Sequence, residues 1–384
     1  MKIGINASFL RKPATGIGQV TTHFLNELIK QIRENKKHKN HKFVLYLEED
    51  IELDLPKNFQ KKVFLPAYKR DDLFRKIWWE KFSLPCQAHK DGCDILFSLY
   101  QSATVIKYVC MKHIVLVHDI IPKIFPEYLN NFRKKIYQSQ IEKGIYGAHV
   151  ILTVSKYTKK DLIEKMNVNP AKIITNYISV DPLYSKEIVQ SESERVMKKY
   201  NLKSDYIYSG GGLEVRKNTD GTLRAYKKLV DRNSNVPTLV ISGKLMPQLV
   251  PLVIDVEKIV KELELEDKVK IIGYIEQRDL PALYKNALMF VYPSHYEGFG
   301  MPVLEAMQIG APTITADNSS LPEVGGEAVL YSDDESDEDL VSKMEELLEN
   351  EELRNDLVIK AKKKSEEFSW EKFVDGFFEI VDKN

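Results

Sequence analysis

The sequence predicts an α/β fold of two doubly wound parallel-sheet domains, and three observations predict it. Short apolar runs alternate with longer amphipathic stretches along the chain, the pattern of parallel strands covered by helices. The alternation is interrupted over Val180–Glu194, where Asp181-Pro182 and a polar stretch carry no periodicity. A chain of 384 residues is also too long for one typical core.

The first domain is expected over residues 1–185. Its strands read as Lys2–Ser8, Phe43–Leu47, Val63–Leu65, Ile95–Ser98, Ile114–His118, Val150–Val154 and Ile173–Ile178. Helical patterns lie between them at Gln19–Asn35, Asp71–His89, Phe132–Tyr146 and Thr158–Met166. The second domain, residues 186–367, repeats the theme. Its strands are Tyr206–Ser209, Leu239–Ser242, Val269–Gly273, Met289–Tyr292 and Thr313–Ala316. Its helices fall near Thr219–Asp231, Leu252–Leu263, Leu280–Asn286 and Pro302–Ile309. A last helix over Lys372–Val381 sets Phe373, Phe377, Ile380 and Val381 on one face. Two such Rossmann-like sheets would bind ligands beyond the carboxyl ends of their strands.

Composition narrows the class. A hydrophobic content of 43% with 10% aromatic is that of a soluble globular chain. No run approaches the roughly 20 apolar residues a membrane span needs, and Met1-Lys-Ile-Gly-Ile-Asn reads as a strand, not a signal peptide. Cys86, Cys93 and Cys110 lack metal-ligand spacing and read as free thiols of a reducing compartment, so a cytoplasmic location is expected. Residues 1–185 hold 30 Lys and Arg against 18 Asp and Glu, a net +12, and the remainder holds 26 against 38, a net −12. A basic first half suits an anionic acceptor or the inner face of a membrane as well as it suits plain solvated faces. Trp78-Trp79, beside Arg75, Lys76 and Lys81, reads as core packing, with insertion into a membrane interface as the alternative. Nothing supports nucleic-acid binding, since no basic stripe is interleaved with stacking aromatics.

Four segments carry chemistry. In Glu297-Gly-Phe-Gly-Met-Pro-Val-Leu-Glu305 two carboxylates flank a Gly-rich turn between a strand and a helix. Gly298 and Gly300 permit close backbone approach, Pro302 suits a first helical turn, and the N–H groups of the Phe299, Gly300 and Met301 turn would face an anion. A phosphate cradle with a hydroxyl-binding acid on either side, Glu297 and Glu305, suits a nucleotide sugar. In Tyr206-Ile-Tyr-Ser-Gly-Gly-Gly-Leu-Glu-Val-Arg216-Lys217-Asn218 a strand ends in glycines, with Gly211 and Gly212 able to approach a pyrophosphate and Arg216 and Lys217 able to neutralise it. His118-Asp119 closes an apolar strand, and Asp119 would orient His118. Thr15-Gly16-Ile-Gly18-Gln19 forms a Gly-rich turn after the first strand. Lys244, after Ile241-Ser-Gly243, ends another strand and would meet phosphate or nucleobase. The acids Asp333-Asp334 and Asp337–Asp339 read as solvated, so no metal site and no cofactor are expected.

These segments resemble the retaining glycosyltransferases of family 4, whose signature is a pair of glutamates separated by seven residues, as Glu297 and Glu305 are. The Gly-Gly…Arg-Lys-Asn stretch, the His-Asp-x-x-Pro pattern, the Thr-Val-Ser155 strand end and the Phe368-Ser-Trp helix are similar to the family's as well. Asn176 to Asp181 departs from the family's Pro-Asn-Gly-Val-Asp by Tyr177 and Ile178, and the glycine segment lacks the extra Arg of some members. The resemblance implies a GT-B arrangement, two Rossmann-like domains facing a cleft, with residues 368–384 crossing back to the N-terminal domain. It implies Glu297 and His118 beside the donor sugar and Glu305 on the ribose. It implies a diphosphate held by Arg216, Lys217, the glycine segment and the Phe299–Pro302 turn, with Gly16 and Gly18 bordering it near the acceptor entrance. Metal-independent transfer of a hexose is implied, mannose from GDP-mannose or glucose from its UDP analogue, to a lipid-linked or polysaccharide acceptor. A nucleotide-sugar epimerase or hydrolase, or a non-catalytic sugar-nucleotide-binding protein, would share the same plan.

Overall fold

The computed structural model describes residues 1–34, 37–65 and 72–383. They form two compact units, Met1–Ser179 together with the residues from Phe368 on, and Val180–Glu367. The division precedes the expected boundary at residue 185 because Tyr184 already belongs to the second unit. It is buried, its ring meets Tyr284, and neighbouring Ser185 Oγ donates to Gln308 at 2.9 Å.

The first unit holds seven parallel strands: β1 (Lys2–Asn6), β2 (Lys42–Leu47), β3 (Phe59–Val63), β4 (Ile95–Ser98), β5 (Lys112–Val117), β6 (Val150–Thr153) and β7 (Ile173–Thr175). Their order is β3-β2-β1-β4-β5-β6-β7. The second holds β8 (Tyr206–Ser209), β9 (Leu239–Ser242), β10 (Val269–Gly273), β11 (Ala287–Tyr292), β12 (Thr313–Ala316) and β13 (Leu330–Ser332), also parallel, in the order β10-β9-β8-β11-β12-β13. Each sheet reverses its winding once, between β1 and β4 and between β8 and β11. Open parallel sheets place ligands beyond the strand ends at such a switch.

Strands covered on both faces must be apolar throughout, and β9 is buried at all four positions. The helix Thr219–Arg232 covers the second sheet, burying Leu223, Ala225, Tyr226 and Leu229 against Ile207, Leu239 and Ile241. The C-terminal helix Trp370–Lys383 belongs to the first unit. Phe373, Phe377, Ile380 and Val381 are buried as one face, and Phe377 stacks on Phe97 at 4.3 Å. Asn176 Nδ2 donates to Phe373 O at 2.9 Å and Ser179 Oγ to Phe368 O at 3.1 Å, so Asn176 fastens this helix.

Several elements differ from the sequence reading. β3 lies at Phe59–Val63, before the apolar residues that marked it, because a half-exposed edge strand needs little apolar contrast. A helix, Gln190–Lys199, begins inside the supposed break, anchored by buried Val196. β13, at the end of the short run Ala328–Tyr331, is three residues long and is absent from the sequence reading. Asn35 and Asp71, an expected helix end and start, lie outside the described residues. Trp79 is buried with its Nε1 donating to Phe64 O at 3.0 Å, whereas Trp78 is 58% exposed, so the two do not share the core. Neighbours on a helix point about 100° apart, and here only Trp79 faces inward. Among the described residues no helix is long and apolar enough to cross a membrane, and no group of acids, His and Cys could hold a metal. The three cysteines are free.

Candidate active site

All six strands of the second sheet run the same way, so the segments that follow them gather along one edge. Gly210–Gly212 follow β8, Lys244 follows β9, Ser294–Glu297 follow β11, Asn318–Ser320 follow β12 and Asp334 follows β13. Gly211 and Gly212 adopt φ of +95° and +112°. A Cβ on Gly211 would stand 2.9 Å from the Tyr292 ring and 3.1 Å from Pro302, so only glycine lets this loop pack on the first turn of the helix Met301–Ile309. Nothing lies within 4 Å in front of Gly212. Gly300, at φ +103°, is the N-cap of that helix, and Pro302 takes its first turn. Phe299 is buried, while Met301 and Pro302 are half-buried.

Glu297 is the hub. Its Oε1 accepts from Lys217 Nζ at 2.6 Å, Tyr292 OH at 2.6 Å, Ser294 Oγ at 2.8 Å and Arg216 Nη1 at 3.0 Å. Its main chain is held too, since Glu297 N donates to Ser319 Oγ and Glu297 O accepts from Ser320 Oγ. Burial would raise this carboxyl's pKa, but the charges of Lys217 and Arg216 outweigh it and hold the group down at about 2. Burial pulls the Lys217 ammonium below the usual lysine range, against the pull of Glu297. Lys217 gives one hydrogen to Tyr292 and one to Glu297, which leaves the third of an ammonium's three donors for a ligand.

Glu305, about one turn into the helix Met301–Ile309, has a different setting. It is buried, and Tyr284 OH donates to its Oε2 at 3.0 Å. Burial pushes its pKa up to about 7, with the hydroxyls of Tyr284 and Tyr184 and the charge of Lys217 opposing and Asp181 assisting. A chain of rings joins the two acids beneath the edge: Tyr292 stacks on Phe290 at 5.7 Å, and Phe290 meets Tyr284 edge to face at 5.0 Å.

The structure therefore brings Glu297, Arg216, Lys217, Gly211, Pro302 and Glu305 together. Lys244 stands exposed at the end of β9 and forms no ion pair among the described residues. In the first unit His118 ends β5, and its Nε2 donates to Leu99 O at 2.8 Å. Burial lowers its pKa, opposed by Leu99 O and Asp119. The ring is then neutral, with Nδ1 as acceptor. Asp119 Oδ1 accepts from Ile121 N at 3.0 Å, an acid closing the turn that follows it, and the Leu99 carbonyl fixes the imidazole. The Gly16-Ile-Gly18 segment is not a loop but the first turn of the helix Gly16–Arg33, capped by Thr15 Oγ1 on Gly18 N. A Cβ at Gly18 would lie 2.0 Å from Lys12 O.

Sequence reasoning missed Tyr292, Ser294, Tyr284 and Tyr184, which satisfy the two glutamates. The tyrosines sit where a strand or helix pattern also wants an aromatic ring, so type and spacing do not mark them. The acids of the 333–339 stretch are also more than solvated. Asp334 pairs with His295 and Asp337 with Arg224, while Ser336 caps the helix Asp337–Glu349.

Comparison with known proteins adds identity to this geometry. The family model described as glycosyl transferases group 1 matches residues 190–364, which hold Arg216, Lys217, Tyr284, Tyr292, Ser294, Glu297 and Glu305, while Tyr184 precedes them. The O-antigen chain mannosyltransferase B of Escherichia coli is 31% identical over 269 residues, 68% of this chain and 67% of that protein. The O-antigen chain mannosyltransferase RfbU of Salmonella typhimurium is 30% identical over 255 residues, 63% of this chain and 65% of that protein. The crystal structure of WaaG, a glycosyltransferase involved in lipopolysaccharide biosynthesis, superposes with a TM-score of 0.74 over 99% of both chains at 14% identity, a likeness of fold.

Proposed function

This chain belongs to the group 1 glycosyl transferases, and within that family we propose that it transfers mannose from GDP-mannose, with retention and without a metal, to a growing polysaccharide or lipid-linked glycan. The names of its relatives support the sugar and the acceptor class. One observation carries the chemistry: a buried glutamate held ionised by Arg216 and Lys217 beside a glycine loop and a helix start. Glu297, together with Glu214, which pairs with Arg216 at 2.7 Å, balances the two cations. What is fixed in place before reaction is a set of N–H donors on Arg216, Lys217 and the helix N-terminus, whose dipole adds roughly half a positive charge, and these favour charge developing on a departing diphosphate. Glu297 Oε2 accepts no hydrogen bond among the described residues, so it is available to a sugar hydroxyl or to an oxocarbenium-like ring. Glu305 takes the ribose hydroxyls, Lys244 the base or phosphate, and the turn at Gly16 supplies a backbone N–H, that of Gly18 being used by Thr15 Oγ1. His118 offers Nδ1 to a hydroxyl of the transferred sugar.

The reading extends to where the protein works. Trp78 and Phe82 are 58% and 49% exposed, their rings are 5.0 Å apart, and Lys81 and Lys107 flank Phe82. Aromatic rings beside cations suit an anionic lipid surface at the cytoplasmic face.

The test is a thermal-shift panel of GDP, UDP and their sugars, followed by turnover of the stabilising donor with a lipid-linked glycan. Stabilisation should rise with ligand concentration and be largest for GDP-mannose, and NMR of the product should show the donor's anomeric configuration kept. Complete donor conversion without acceptor would instead indicate an epimerase or hydrolase.

A further inference from the structure

Asp334 lies in the loop between β13 and the helix Asp337–Glu349, and it touches neither Glu297 nor the two cations. It nevertheless joins the segments that carry them. Asp334 Oδ2 accepts from His295 Nδ1 at 2.5 Å, Oδ1 from Asn318 Nδ2 at 2.7 Å, and the main-chain oxygen from Asn218 Nδ2 at 2.9 Å. Each of these three partners makes a second bond into the site. Asn218, directly after Arg216 and Lys217, also donates to Pro293 O at 3.1 Å. Asn318 also donates to Ser294 O at 3.1 Å. His295 N donates to Arg216 O at 2.8 Å.

We propose that Asp334 is a positioning residue for sugar transfer, a clamp that fixes the Pro293–Glu297 segment against the Arg216–Asn218 turn. The proposal rests on the reading of Glu297 as the catalytic carboxylate. The physical need is specific. Asn218 sits in the left-handed region at φ +56° and Ser319 at φ +49°, conformations a non-glycine residue keeps only where its surroundings dictate them. Four donors meet on one Glu297 oxygen, and their convergence requires that the two loops stay in register. A carboxylate accepting from two side chains, with its own carbonyl accepting from a third, holds that register without placing a charge on the ligand.

The test compares Asp334→Ala and Asp334→Asn in the full chain. The alanine variant should bind GDP within about twofold of the parent by thermal shift, since Glu305 and its tyrosines are untouched, while kcat falls on the order of 10²-fold, the loss expected of a misplacement near 1 Å. The asparagine variant should recover most of that loss. Its oxygen can still accept from Asn318, and its amide can donate to the other tautomer of His295. Should Asp334→Ala not fold, His295→Phe removes one arm of the clamp and should lower kcat about tenfold with the donor KM little changed. Full turnover in either alanine or phenylalanine variant, or equal loss in Asp334→Asn and Asp334→Ala, overturns the proposal. Glu297→Gln is measured in parallel. If it stays active, the reading of Glu297 fails; if it is dead while Asp334→Ala is active, only the clamp fails.

Discussion

Glu297 and Glu305 stand eight residues apart, and both are buried at one sheet edge, yet their surroundings push them in opposite directions. Glu297 is surrounded by donors and two cations and is held at about 2, while Glu305 meets tyrosine hydroxyls and is pushed up to about 7. From a common ordinary value of 4.5 these are shifts of about 2.5 in each direction, or about 3 kcal/mol of opposite sign. For Glu297 the folded pKa is depressed. Its contribution is present above about 4.5 and is lost as pH falls towards about 2. For Glu305 the folded pKa is raised. Stability is lost as pH rises from about 4.5 to about 7, where the buried carboxylate becomes charged. The first acid is held charged by two cations, and the second is met by tyrosine hydroxyls.

The sharpest way to break this contrast is Glu297→Gln, for which we expect kcat to fall about 10³-fold. The same change leaves buried Lys217 without its carboxylate, whereas Arg216 keeps Glu214, so thermal unfolding should shift down by an amount near the 3–5 kcal/mol of a broken buried pair. Adding Lys217→Met should restore stability but not turnover. Glu305→Gln should act the other way. Donor KM should rise about tenfold for the lost charge-assisted bonds, while stability at pH 8 rises by about 2 kcal/mol because a charge no longer has to be buried. A KM unchanged by Glu305→Gln would remove the ribose role.

The pH dependence follows in size. As pH falls through about 7, Glu305 gains a proton and donor KM should rise, with kcat nearly flat because Glu297 stays ionised. The KM profile should flatten in Glu305→Gln, and a wild-type KM constant from pH 5.5 to 8.5 would contradict the assignment. Smallest is Gly212→Ala. Its positive φ adds about 1 kcal/mol of strain, but the open space before it predicts a fold left intact, with a modest loss of donor affinity as the readout.

Much of this was legible in the chain. β4, β8, β9, β10 and β12 fall where the sequence places them: β4, β8, β9 and β12 are buried at every position, as inner strands of a covered sheet are, and the edge strand β10 keeps Val269, Ile271 and Ile272 around Lys270. The order strand, glycines, cation pair and strand, glycine turn, glutamate pair likewise identified Arg216, Lys217, Glu297 and Glu305 as partners. Edge elements were harder. β3 and β13 bury little, and the helix Gln190–Lys199 shows only sparse apolar periodicity. Asp334 was unreadable, since an acid among acids declares nothing about the histidine 39 positions away that it holds.

The amino-acid sequence by itself determined the alternation that makes two parallel sheets, and the residue types that must end their strands, because backbone periodicity and glycine stereochemistry act locally. Only the tertiary structure decided which glutamate is charged and which hydroxyls answer each of them. Burial and Coulomb interaction depend on distance in space, and Tyr184, Tyr284, Lys217 and Asp334 reach this edge from four separate stretches of chain.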